Sequence, residues 1–123
     1  MIYSILEKKP TELTLTNRTI EKSNVIQNKM HAYAKSFDVM INATSASLND
    51  ADLGMDDHVF HEDSLAYDMM YGKETTFIKQ AKSQASQTSD GLGMLVEQAA
   101  EAFYIWHHIK PHTKPVIALL RKN

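Results

Sequence analysis

Between residues 20 and 48 the hydrophobic positions repeat at helical spacing. Ile26, Met30, Tyr33, Phe37, Ile41, Thr44 and Leu48 follow at steps of 4, 3, 4, 4, 3 and 4 residues, each close to one helical turn. Asn24, Lys35 and Asp38 fall elsewhere on the wheel. The pattern predicts a long amphipathic helix that needs a partner surface, since such a helix is marginal alone in water. Thr16 or Asn17 suits its N-cap, and Glu21 suits its positive end. Asn49, Asp50 and Gly54 break it. Its mean step lies nearer 3.6 than 3.5, which favours a globular bundle over a coiled coil. Asn42, Thr44, Ser45 and Ser47 weaken its last turns by propensity.

Ahead of this helix, residues 2–6 are apolar and partly β-branched. Thr11, Leu13 and Leu15 alternate with Glu12, Thr14 and Thr16, which favours extended backbone. Two readings stand: a hairpin about Lys9-Pro10, or an arm with little order.

Behind it, residues 49–62 form an acidic connection. Ser64 caps a second helix that starts at Leu65, uses Ala66, Met69 and Met70, and passes a defect at Gly72. It continues through Thr76, Phe77, Ile78 and Ala81 to about Ser83. Residues 84–90 read as a loop or a solvated helix end. Ser89 or Asp90 caps a third helix, with Leu92, Leu95, Val96, Ala99, Ala102, Phe103, Trp106 and Ile109 on its apolar face. Pro111 disfavours a helical Lys110 and ends it. Thr113 and Pro115 open a last short helix to Leu120, or residues 116–120 form a strand beside Leu13 to Leu15. The predicted fold class is mainly α: a small bundle of about three helices with a long first helix. Residues 1–16 are the extended arm or hairpin, and 17–123 the helical domain.

Composition narrows the function more than it names it. The 123 residues suit one domain. Hydrophobic content of 43% and charged content of 23% are ordinary for a globular chain. Cysteine is absent, so disulfides, thiolate zinc sites and a cysteine nucleophile are excluded. A net charge of −2 leaves no basic surplus for phosphates, so no nucleic-acid partner is expected. No apolar run reaches the length of a membrane span. The N-terminus has the reverse order of a signal peptide, which predicts a cytoplasmic protein or one exported without a cleaved signal. Asn17-Arg18-Thr19 and Asn42-Ala43-Thr44 match the glycosylation pattern by chance.

Candidate chemistry is sparse. His58 and His61 form one imidazole group, and His107, His108 and His112 another. Two imidazoles from one and a third from the other, with a carboxylate, make a zinc set in principle. The spacing matches no ligand motif: Leu65 stands where a second histidine would follow His61-Glu62. His107 and His108 also suit a helix C-terminus. Asp50, Asp52 and Asp56 have the even spacing of a calcium loop, but Gly54 is fifth where the sixth is required, and His61 occupies the twelfth. Gly91-Leu92-Gly93 resembles the opening of a dinucleotide loop, yet Val96 fills the third glycine position and a polar stretch precedes it. No serine sits in a nucleophile elbow, and Glu97 and Glu101 lie one turn apart off the apolar face.

The third helix is apolar around more than half its circumference, since Tyr104 and Ile105 point away from Phe103, Trp106 and Ile109. Such a helix is central in its own bundle or covered by another chain. Phe103, Trp106 and Ile109 are therefore the expected partner-binding residues. No catalytic residue, cofactor or metal is expected. The favoured function is a non-catalytic helical protein-binding protein of bacterial or phage type, such as an adaptor, secretion chaperone, toxin antagonist or inhibitor. Its partner is another protein or a second copy, with no nucleic acid and no membrane. The alternatives are a self-assembling structural or secreted subunit and a histidine-based metal-dependent bundle enzyme.

Overall fold

In the computed structural model, residues 5–15, 36–49, 51–84 and 86–122 are described. The chain divides into two compact units, Met1–Tyr33 and Ala34–Asn123. In the first, Ile5 and Leu6 close a helical turn, with the amides of Lys8 and Lys9 donating to their carbonyls at 3.0 and 2.9 Å. Residues 12–15 carry no strand.

The second unit is built on a parallel sheet. Its described strands are β1 (Val39–Asn42), β2 (Leu65–Asp68) and β3 (Gln87–Ser89), in the order β1-β2-β3. Val39 is in register with Leu65 and Asn42 with Asp68, while Leu65 faces Gln87 across the other ladder. Helix α1 (Thr76–Ser83) connects β2 to β3, and α2 (Leu92–His107) and α3 (Thr113–Leu120) follow.

The mainly α prediction is thereby corrected to a parallel sheet with helices. Val39-Met40-Ile41 is a short apolar run, and such runs fit a buried strand as well as a helix turn. Its amides and carbonyls pair with β2 instead of with each other. Residues 46–49 form a separate 3-10 turn. The predicted long helix at residues 17–35 lies outside the described residues. Leu65–Asp68 is a strand in place of the start of a second helix, and the helix begins only at Thr76. Gly72, at φ 82°, belongs to the turn between them. Residues 87–89, read as loop, form β3. The third predicted helix is present as α2, with Gly91 at its N-cap in place of Ser89 or Asp90. Residues 113–120 are helical, so no strand pairs there with Leu13 to Leu15.

The core lies on one sheet face. Ala66 and Asp68 are buried on β2 while Leu65 and Tyr67 are only half-buried, which is the period-two signature of a strand. Ala66 joins Phe60, Phe77, Ile78 and Ala81 in one apolar cluster, and Met40, Leu53, Met55 and Val59 pack against it. The Phe60 and Phe77 rings are 6.1 Å apart and tilted by 51°, within the favourable range for aromatic pairs. Gln80 ties α1 to the acidic connection through the Met55 carbonyl at 2.8 Å and the Asp57 carboxylate at 2.9 Å.

Candidate ligand site at the carboxyl edge of the sheet

All three strands run the same way, so their carboxyl ends share one edge. In open α/β sheets the crevice outside that edge is where ligands bind. Here the edge carries Asn42, Asp68 and Ser89, followed by the turns at residues 43–49, 69–75 and 90–91.

Three buried polar residues organise it. Asn42, Asp68 and Thr75 expose 4%, 1% and 1% of their surface. Buried polar groups of this kind are costly unless hydrogen-bonded. The Asn42 amide nitrogen donates to Asp68 Oδ2 at 3.2 Å, and the Thr75 hydroxyl donates to the same oxygen at 2.6 Å. Asp68 Oδ1 accepts the Met70 amide at 3.0 Å. Asn42 Oδ1 accepts both the amide and the hydroxyl of Thr44, at 3.0 and 2.8 Å, which folds the turn after β1 as an Asx turn. Thr75 Oγ1 in turn accepts the Ile78 amide at 3.3 Å and caps α1.

The start of α2 closes the third side. The Gly91 amide donates to the Met70 carbonyl at 2.9 Å. A Cβ on Gly91 would overlap the Met69 carbonyl oxygen and lie 3.2 Å from Met69 Cα, so only glycine permits this approach. Asp90 Oδ1 accepts the Leu92 amide at 3.3 Å and lies 3.7 Å from an Arg121 guanidinium nitrogen. Burial, with Asp90 nearby, pushes the Tyr67 phenol above its ordinary value. Gly93 opens on free space, with nothing within 4 Å of where its Cβ would stand. This edge offers backbone donors at a helix start, a glycine that lets a ligand approach closely, and turns fixed from below. That combination suits an anionic, extended ligand such as a dinucleotide. Gly91-Leu92-Gly93 was set aside because Val96 fills the third glycine position and a polar stretch precedes it. That polar stretch, Gln87 to Ser89, is a strand, though none of its residues is buried.

The residues singled out from sequence lie elsewhere. Phe103, Trp106 and Ile109 are exposed, at 42%, 75% and 64%, along and beyond the last turns of α2. Trp106 is therefore not a central anchor of this unit. Leu92, Val96 and Ala100 bury the first half of the helix instead. His107 stacks on Phe103 with ring centroids 4.4 Å apart, and His108 caps α2 at φ 56°. His61 Nε2 lies 3.6 Å from Asp38 Oδ1, but the Ser64 hydroxyl donates to the His61 carbonyl, so no Ser-His-Asp relay is wired. Among the described residues no group of three or more His, Asp or Glu is placed to hold a metal ion. Asp52 accepts the Gly54 amide at 2.9 Å, using its carboxylate to shape the acidic connection. No described helix is long and apolar enough to cross a membrane.

Sequence reasoning missed Asn42, Asp68, Thr75 and Gly91. The available signal was a short apolar run ending in turn-forming polar residues, twice over: Val39 to Ser45 and Leu65 to Gly72.

A family model described as the Shikimate 5'-dehydrogenase C-terminal domain matches residues 91–121. The chain is 45% identical, over 98% of its length and 50% of the relative's, to "Shikimate dehydrogenase (NADP(+))" of Methylobacillus flagellatus. A crystal structure of an Ael1 enzyme from Pseudomonas putida superposes with a TM-score of 0.81 at 36% identity, over 97% of this chain and 49% of that one. Shikimate 5-dehydrogenase from Thermus thermophilus, solved in complex with NADP(H) and shikimate, gives a TM-score of 0.59 at 26% identity, over 69% and 33%. The chain thus spans about half the length of the curated relatives it matches. These likenesses place the sheet and helices in the Rossmann-like α/β class. They overturn the reading as a non-catalytic adaptor, chaperone, antagonist or inhibitor, because relatives over nearly the whole chain are dehydrogenases.

Proposed function

We propose that this chain forms the dinucleotide-facing part of an NADP+-dependent shikimate dehydrogenase. The carboxyl edge is its ligand surface. The match to curated dehydrogenases along almost the entire chain supports this reading most strongly. The parallel sheet supports it independently, since its carboxyl edge is the one that takes dinucleotides in this class of fold. The dinucleotide, when bound, supplies the acceptor for a hydride from a carbinol carbon of the substrate. The residues of this chain bind and orient. The turn from Asn42 to Thr44, the turn from Met69 to Gly72 and the backbone from Gly91 to Gly93 would hold the ligand. The buried Asn42, Asp68 and Thr75 keep those turns in place, which is the pre-organisation that hydride transfer needs.

The test is a titration of the isotopically labelled chain with NADP+, followed by amide chemical shifts. Shifts concentrated at residues 42–44, 69–72 and 91–94 are expected. Shifts confined to the opposite edge, around His61, Ser64 and Ser86, or none at saturating ligand, would refute it. For the reaction, the chain is combined with the part of the Methylobacillus relative outside the match. Shikimate-dependent formation of NADPH that neither part gives alone is the expected result.

A protein contact is the second part of the proposal. Phe103, Trp106 and Ile109 would meet further polypeptide, and their exposure supports this. That contact would belong to an enzyme's own assembly, with no role for nucleic acid or membrane.

A further inference from the structure

We infer that Asp68 is a positioning residue that makes the turns after β1 and β2 move as one unit. Its carboxylate sits at the end of the middle strand, where it is almost fully buried. Through Oδ2 it holds the Asn42 amide of β1 and the Thr75 hydroxyl at the start of α1. Through Oδ1 it holds the Met70 amide of its own turn. Asn42 passes the constraint to Thr44, and Thr75 passes it to Ile78. One side chain therefore links two turns that are 26 residues apart in sequence. A backbone bond from the Met69 amide to the Asn42 carbonyl, 3.0 Å long, supports the same junction. An apolar residue of similar size could fill the space but would hold neither turn. A buried acceptor with several donors is worth its desolvation only if every member is satisfied. Loosening one member should therefore loosen the others.

The consequence for ligand affinity rests on the proposed dinucleotide reading; the coupling of the turns does not. Amide hydrogen exchange is followed at Thr44, Met70 and Ile78, with Ala100 of α2 as a control for the fold. The dissociation constant for NADP+ is measured on the same samples. In Asp68→Asn, and separately in Asn42→Asp, exchange at Thr44 and at Met70 should both rise about tenfold or more while Ala100 is unchanged. NADP+ affinity should fall about fivefold or more. The exchanged pair, Asn42→Asp with Asp68→Asn, restores one donor facing one acceptor between the two strands but takes the acceptor from the Thr75 hydroxyl, so it should recover part of both losses. If each single substitution speeds only the amide of its own turn, the turns are independent and the inference is wrong. Failure of the exchanged pair to recover exchange at Thr44, with Ala100 still protected, also overturns it. If Asp68→Asn does not fold, Thr75→Val takes its place, and an unchanged Thr44 amide there sinks the coupling. Absence of NADP+ binding by the unsubstituted chain counts against the proposed function alone, since exchange still decides the coupling.

Discussion

Gly91 and Gly93 stand two residues apart and face opposite demands. A methyl group on Gly91 would run into the Met69 backbone, which cannot swing aside as a flexible side chain can. Gly91→Ala should cost about 1–3 kcal/mol or more, the usual range for overpacking. Gly93 has empty space around it and lies inside α2. Gly93→Ala should stabilise by about 0.5–1 kcal/mol, because glycine gives up more backbone entropy than alanine in a helix. Urea denaturation of the two variants checks both signs. If the dinucleotide approaches Gly93 as proposed, the stabilised variant should also bind NADP+ more weakly. Tyr67 carries the pH dependence at this scale. Burial, aided by Asp90, raises its phenol above the ordinary value of 10.0, so the folded state favours the neutral form. The unfolded chain then loses its proton first, and stability falls as pH rises from 10.0 through the folded value. Tyr67→Phe should flatten that alkaline loss relative to the parent chain, read as the denaturation midpoint against pH.

At the scale of elements, α1 anchors the core. Phe77 is 4% exposed and meets Phe60, Ala66, Ile78 and Ala81. Phe77→Ala should cost about 3–5 kcal/mol by lost burial and the cavity left behind, measured by chemical denaturation. The sequence placed this segment in a helix, because Phe77, Ile78 and Ala81 keep helical spacing, but began that helix at Leu65 instead of Thr76. The strands were not. Leu65, Ala66, Met69 and Met70 also keep helical spacing, and a strand of four residues is too short to show its own period. The run from Phe37 to Leu48 misled in the same way, joining a strand and a 3-10 turn into one apparent helix. β3 is polar throughout, so nothing in Gln87, Thr88 and Ser89 announced it. Its backbone pairing with β2 alone makes it a strand.

At the scale of the whole molecule, the second half of α2 and all of α3 carry an exposed apolar surface. Ile105, Trp106, Ile109 and Leu119 are each more than 60% exposed. A side chain this exposed stabilises the unit little. Trp106→Ala should shift stability by about 0.5 kcal/mol or less, against the several kcal/mol expected of a core aromatic. Thermal denaturation of the chain by itself makes the comparison. A loss like that of Phe77→Ala would show that Trp106 is covered. The sequence had already shown that this helix is apolar on too many sides for a simple surface helix, and the exposure at Phe103, Trp106 and Ile109 is the structural counterpart of that pattern. The candidate site was far less legible. Asn42 read as a weak helix end and Gly91 as the opening of an incomplete dinucleotide loop, while Asp68 and Thr75 carried no signal of their own.

The sequence by itself determined only local features: helical backbone through Phe77, Ile78 and Ala81, the apolar helix that ends before Pro111 and the lack of thiol chemistry, while residues 116–120 stayed open between a helix and a strand. Each follows from spacing, capping or composition over a few neighbouring residues. Only the tertiary structure decided that β1, β2 and β3 lie parallel, and that Asn42, Asp68 and Thr75 meet. Parallel strands pair residues far apart in sequence, here Asn42 with Asp68 and Tyr67 with Ser89, and no local pattern records such a pairing. The candidate site lies where three strand ends come together, so its residues stood out only once the sheet had brought them to one edge.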